Sequence, residues 1–260
     1  MSMTSSKPSI AQLREVCQPR DVLGRVSGEH WAGRLYMRHV SLYLTRALLP
    51  TRITPNGVTW LMIASGPIAA AVLTVPTLWS AIVALLLIQA QLLFDCSDGE
   101  IARWRGTSSP AGVYLDRVGH FCTDATMVAA LGVRVDGGFG SIGGWTTVGL
   151  AVAVLNMWIK SETELVHVAR AHAGRSLLSD DETKMKPRGL RNLRSLINYL
   201  PIHRALLAIE LSGLVVIAAV GDLFSDSTLG SRVLLIALVP IALIVVIGHL
   251  LSIMTSSRLR

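Results

Sequence analysis

Asp95, Asp98, Asp116 and His120 are the side chains best able to do chemistry in this sequence. They lie in the run DCSDGEIARWRGTSSPAGVYLDRVGH, residues 95–120. Asp95 and Asp98 are three apart, and Gly99, Ala102 and Arg103 continue the same side of a helix. Gly112 and Asp116 are four apart at the start of a second predicted helix. Asp116, His120 and Asp124 then repeat every four residues along one face of it. Eight residues separate Arg103 from Gly112, too few for anything but an antiparallel helical hairpin. Three carboxylates therefore converge near one end of that hairpin.

An ionised carboxylate at membrane depth costs at least a few kcal/mol, and three together repel and take up protons unless a cation neutralises them. Clustered hard oxygen ligands suit Mg²⁺, Mn²⁺ or Ca²⁺. A cation held this way keeps positions free for phosphate oxygens. Gly99 and Ala102 let a bulky group approach the backbone, and Arg103 offers a fixed cation to a phosphate. Residue types alone also allow acids that line an ion pathway or pair with arginines.

The elements that must position these groups follow from composition. The 260 residues are 51% hydrophobic and only 16% charged, with a mean hydropathy of +0.52. Apolar runs near twenty residues predict an all-α, polytopic membrane protein. Six spans are expected: about 56–78, 80–103, 112–133, from 145 onward and past the membrane, 202–220, and 233–253. Thr54-Pro55 supplies an N-cap and first-turn proline for the first. Residues 1–9 read as disordered, and no signal peptide is expected. HVSLYLTRALL is amphipathic but too short to span, so residues 1–50 are expected to form a cytoplasmic segment with an interfacial helix, and 51–260 the membrane domain. Six spans place the N-terminus, the WRGTSSP loop, the basic loop 173–200 and the C-terminus on one side. That side holds most Lys and Arg and is expected to be cytoplasmic. The opposite loops carry only Arg134 and Arg232. The net charge of +7 is assigned to these loops and to lipid headgroups, not to nucleic acid, for which no signature appears. Cys17, Cys96 and Cys122 form no CxxC pair.

The pattern Asp95-x-x-Asp98-Gly99-x-x-Ala102-Arg103, eight residues, Gly112, three residues, Asp116 resembles the signature of the CDP-alcohol phosphotransferase family. The ITPNGVT opening of the first span and the six-span plan resemble it too. The resemblance implies a homodimer with a polar cavity open to the cytoplasm. It also implies transfer of a substituted phosphate from a CDP-linked donor to an alcohol, with release of CMP. By that resemblance Asp95, Asp98 and Asp116 ligate a divalent metal, Mg²⁺ or Mn²⁺. Gly99, Ala102, Arg103 and Gly112 line the nucleotide site, with Asn56 and Thr59 beside it.

The departure is at position 120, where the family pattern has a fourth Asp and this chain has His120. Three readings stand. His120 is the general base, suited by its ordinary pKa of about 6.5; it is a nitrogen ligand to the metal; or it is a packing residue in a site that has lost catalysis. Asp124 either takes over part of the missing role or is a buried acid paired with another span. Lys160, Glu162, Glu164, His167 and Arg170 form either an acceptor pocket or a solvated helix end. Arg188, Arg191, Arg194 and Arg204 are candidates for holding a phosphorylated acceptor or lipid headgroups.

The expected function is thus a membrane phosphotransferase whose acceptor is an alcohol or polyol phosphate. The donor is either CDP-diacylglycerol or a CDP-activated alcohol. The rival is a non-catalytic membrane protein, a binder or ion pathway, that keeps the fold without the fourth acid.

Overall fold

The computed structural model describes residues 8–19, 30–176, 202–225, 227–255 and 259. Eight α-helices and no strand occur among them. The expected disorder of residues 1–9 and the basic loop 173–200 lie mostly outside the described residues. The chain forms two compact units, one of Met1–Ser65 with Gln89–His120 and one of Gly66–Ile88 with Phe121–Arg260.

In the first unit, α1 (Ile10–Cys17) opens on a capping box: the Ser9 hydroxyl accepts the Gln12 N–H while the Gln12 side chain accepts the Ser9 N–H. A π-helical turn, Gly33–Met37, leads into α2 (Arg38–Leu48). The inner face of α2 buries Ser41, Leu42 and Thr45. Leu42 packs with Leu13 and Cys17 of α1, and Trp104 rests against them. Leu35 and Tyr43 are exposed. Then α3 (Pro55–Leu73) begins as expected: the Thr54 hydroxyl accepts the Gly57 N–H at 3.0 Å and Pro55 fills the first turn. It ends before the expected Leu78, because Pro76 cannot continue a helix and biases Val75 against it.

The next two helices, α4 (Leu78–Arg105) and α5 (Pro110–Asp136), are joined by a four-residue turn. The sequence dictates both sides of that turn. Gly106 takes a φ of +64°; its N–H bonds Arg103 O, and the Thr107 N–H bonds Ala102 O. This is the paired closure that glycine permits at a helix C-terminus. Ser109 then caps α5, accepting the Gly112 N–H, with Pro110 in the first turn.

In the second unit, α6 (Gly144–His172), α7 (Ala208–Leu223) and α8 (Leu229–Thr255) complete the chain. α8 packs on both α6 and α7, around a core that includes Met127, Leu131, Leu211, Val215, Leu235 and Leu238. A Cβ on Gly149 would sit 2.8 Å from Gly132 Cα, so α5 and α6 touch backbone to backbone there. Buried Arg134 ties the far ends of the helices together. Its guanidinium donates to Val75 O, Thr77 O and the Ser80 and Ser231 hydroxyls, and lies 3.7 Å from Asp222. Asp136 accepts the N–H groups of Gly143, Trp145 and Thr146 at the N-terminus of α6.

Of the six expected spans, three are helices long and apolar enough to cross a membrane: α3, α4 and α8. α5 and α6 have the length but are diluted by charge: Asp116, Arg117 and Asp124 in one, Lys160, Glu162 and Glu164 in the other. The fifth span was expected from Ile202. Residues Ile202–Leu206 are instead a 3₁₀ turn, which leaves α7 with 16 residues, about 24 Å of helix.

Candidate functional site

The register of the α4–α5 hairpin brings the candidate residues together. Asp95 lies ten residues before the end of α4 at Arg105, and His120 ten residues after the start of α5 at Pro110. Both are therefore about 15 Å from the turn. They meet there: His120 Nε2 is 3.2 Å from Asp95 Oδ1 and 3.4 Å from Asp116 Oδ1. Asp95, Asp116 and His120 each offer a ligand atom, all within 4.8 Å of one another. Two carboxylates and one imidazole at this spacing are a donor set that fits a divalent cation.

Asp98, one helical turn from Asp95 on α4, stands outside that trio. Its Oδ2 accepts a 2.6 Å hydrogen bond from the Thr59 hydroxyl, and Thr59 is itself buried. Thr59 was expected near the nucleotide; its visible contact is with the second acid of the motif. Asn56 lies against Gly112, where a Cβ would come within 3.3 Å of Asn56 Oδ1, so this glycine keeps α3 and the start of α5 close. Gly99 makes room for Arg103: a Cβ there would meet Arg103 Nη1 at 3.1 Å. The guanidinium folds back over Gly99, and Arg103 Nε donates to Cys17 O at 2.6 Å. Arg103 Nη2 is buried with no hydrogen-bond partner among the described residues. Ala102 is half-buried on the same helix.

The missed residue of the unit is Glu100. It is fully buried and receives three hydrogen bonds: Gln18 Nε2 at 2.8 Å, Ser41 Oγ at 2.6 Å and Thr45 Oγ1 at 2.7 Å. Arg38 lies 3.7 Å away. Nearby, Arg105 donates to Leu49 O, Thr51 O and Ile53 O, fixing the approach to α3. Burial pushes the Cys17 thiol up to about 11; the Glu100 carboxylate adds to the shift and Arg103 opposes it.

The second unit answers the question about Asp124. It is buried, 2.6 Å from Lys160 Nζ on α6, and accepts the Ala208 N–H at the start of α7 at 2.7 Å. The Lys160 ammonium also sits 5.2 Å from the Phe121 ring centroid. Glu162 is buried and paired with His249 of α8 at 2.8 Å. Lys160 and Glu162 are thus internal struts, not the solvated helix end that was one of the two expectations. Arg204 lies 3.9 Å from Glu210, while Arg188, Arg191 and Arg194 are outside the described residues.

A family model described as CDP-alcohol phosphatidyltransferase matches residues 52–255. No match to the chain was found among curated proteins.

Proposed function

The chain belongs to the CDP-alcohol phosphatidyltransferase family, and on that premise we propose that it moves a substituted phosphate from a CDP-linked donor to an alcohol and releases CMP. The observation that carries the reading is the convergence of Asp95, Asp116 and His120 across the hairpin, with Asp98 fixed beside them by Thr59. In the reaction the acceptor oxygen attacks the β-phosphorus. The bond from that phosphorus to the bridging oxygen breaks, CMP leaves with the bridging oxygen, and the acceptor's proton passes to a base. A divalent cation, when bound, supplies positive charge for the diphosphate and for the departing CMP.

Asp95, Asp116 and His120 are proposed to hold that cation, with Asp98 as a further carboxylate ligand. His120 then takes the place of a fourth carboxylate, and its nitrogen favours Mn²⁺ over Mg²⁺ relative to an all-oxygen set. The imidazole is also 43% exposed, which supports an alternative to metal ligation, removal of the acceptor's proton by His120. Gly99, Ala102, Arg103, Gly112 and Asn56 are proposed as the surroundings of the nucleotide.

The three apolar helices and the family membership support an integral membrane protein. We extend this to six spans, α3–α8, in a domain of residues 51–260 preceded by an interfacial segment, 1–50. The exposed Leu35 and Tyr43 support lipid contact by that segment. The distribution of Lys and Arg supports a cytoplasmic site, and the family resemblance a homodimer. The donor is CDP-diacylglycerol or a CDP-activated alcohol. The acceptor is an alcohol or polyol phosphate, and the product a phospholipid or a polyol phosphodiester.

Purified protein incubated with labelled CDP-diacylglycerol, Mg²⁺ or Mn²⁺ and a panel of alcohols tests the reading. CMP release that disappears in Asp98→Ala is expected. Nucleotide binding without CMP release, for every donor and acceptor tried, would instead identify a non-catalytic binder.

A further inference from the structure

The acids of the motif occupy one side of α4, and the buried Glu100 occupies the other. At 100° per residue Glu100 is about 140° around the helix from Asp95 and about 200° from Asp98. Its three hydrogen-bond donors and its nearest cation, Gln18, Ser41, Thr45 and Arg38, all come from a segment that precedes residue 52. That segment lies outside the family match, 52–255. The Gln18 amide also donates to Arg38 O at 2.7 Å, so it joins α2 to Glu100. Arg103 adds a second tie from α4, through Cys17 O. The N-terminal segment therefore grips the back of the helix whose front carries Asp95 and Asp98.

We propose that Glu100 is a positioning residue, through which α1 and α2 fix the rotation of α4 and thereby the placement of the metal-binding carboxylates. The proposal rests on the metal-site reading above. Its physical basis is leverage. Carboxylate oxygens stand about 5–6 Å from a helix axis, so a rotation of about 20° displaces them by about 2 Å. Metal–ligand distances tolerate only about 0.2 Å. Three hydrogen bonds to a fully buried carboxylate resist such a rotation, together with those that Arg105 makes at the end of the helix. Two hydroxyl residues one turn apart on α2, Ser41 and Thr45, donate to this acceptor and have no access to solvent.

The test is a Mn²⁺ titration of the full-length protein in detergent, followed by the EPR signal of the free ion, with thermal unfolding measured on the same samples. Glu100→Ala is expected to weaken Mn²⁺ binding by about tenfold or more, since it strands three buried donors. Glu100→Gln keeps one acceptor oxygen, and its amide donates to the Thr45 hydroxyl, so it should retain affinity within about threefold. Should Glu100→Ala fail to fold, a second pair decides: Thr45→Val is expected to weaken binding while Thr45→Ser restores it. Variants that unfold at lower temperature but bind Mn²⁺ as tightly as the wild type would reduce Glu100 to a packing role and overturn the proposal. A wild-type protein that binds no Mn²⁺ would remove the metal site itself, and the positioning role with it.

Discussion

Replacing His120 by aspartate supplies the fourth acid that the resemblance implies, and has a calculable cost when no metal is bound. The wild-type imidazole nitrogen stands 3.2 and 3.4 Å from oxygens of Asp95 and Asp116, where it bridges two carboxylates as donor or cation. In His120→Asp a third negative charge takes its place. At the reach of the shorter side chain, about 5 Å, each pair repels by about 1 kcal/mol with water-like screening and about 3 kcal/mol at the response typical of a protein surface. His120 and Asp116 are 43% and 41% exposed, so the lower end of the combined range of about 2–6 kcal/mol applies, about 2–3 kcal/mol. The variant should therefore unfold roughly 5–10 °C below the wild type in EDTA. Saturating Mg²⁺ should recover most of that loss, because a dication among three acids reverses the sign of the local interaction. His120→Asn, uncharged and still a hydrogen-bond donor, should lose less than His120→Asp, and saturating Mg²⁺ should recover correspondingly less. Thermal unfolding in detergent, with EDTA or with metal, measures all three. A His120→Asp protein as stable as the wild type in EDTA would refute the bridging role of the imidazole.

Two further outcomes follow from the packing. The Cys17 thiol, pushed up to about 11, should react with iodoacetamide about a hundredfold more slowly at pH 8 than an ordinary cysteine, with the rate rising tenfold per pH unit. Because the folded pKa is raised, burial of the thiol favours folding below about pH 9 and that contribution is lost as pH climbs toward 11; peptide mapping across this range reads the labelling. Gly149→Ala drives a methyl to within 2.8 Å of Gly132 Cα and should destabilise by about 1–3 kcal/mol, visible as a lower unfolding temperature with the metal response of the first unit unchanged.

The α4–α5 hairpin was legible because its information is local. The eight-residue connection between Arg103 and Gly112 left room only for a hairpin, while the closer detail, the left-handed Gly106 and the Ser109 cap, came from the structure. The beginning of α3 was legible for the same reason, at Thr54 and Pro55. Glu100 was not, since a glutamate beside two aspartates in a helix reads as one more exposed acid. Its burial depends on Gln18, Ser41 and Thr45, between 55 and 82 residues away, and no local pattern encodes that. Asp124 continued the stripe of Asp116 and His120 in sequence, yet its carboxylate belongs to Lys160 and Ala208. Arg134 read as the edge of a loop, whereas it is a buried hub whose acceptors come from three other parts of the chain. In each case the deciding partner is a long-range one.

The central claim is that one cation is held jointly by Asp95, Asp116 and His120. Pulsed EPR of the Mn²⁺-loaded protein tests it most directly, because an imidazole bound to Mn²⁺ gives a ¹⁴N coupling that oxygen ligands do not. That coupling is expected in the wild type and is expected to be lost in His120→Asp, which should still bind Mn²⁺. Bound Mn²⁺ without a nitrogen coupling in the wild type would contradict the claim.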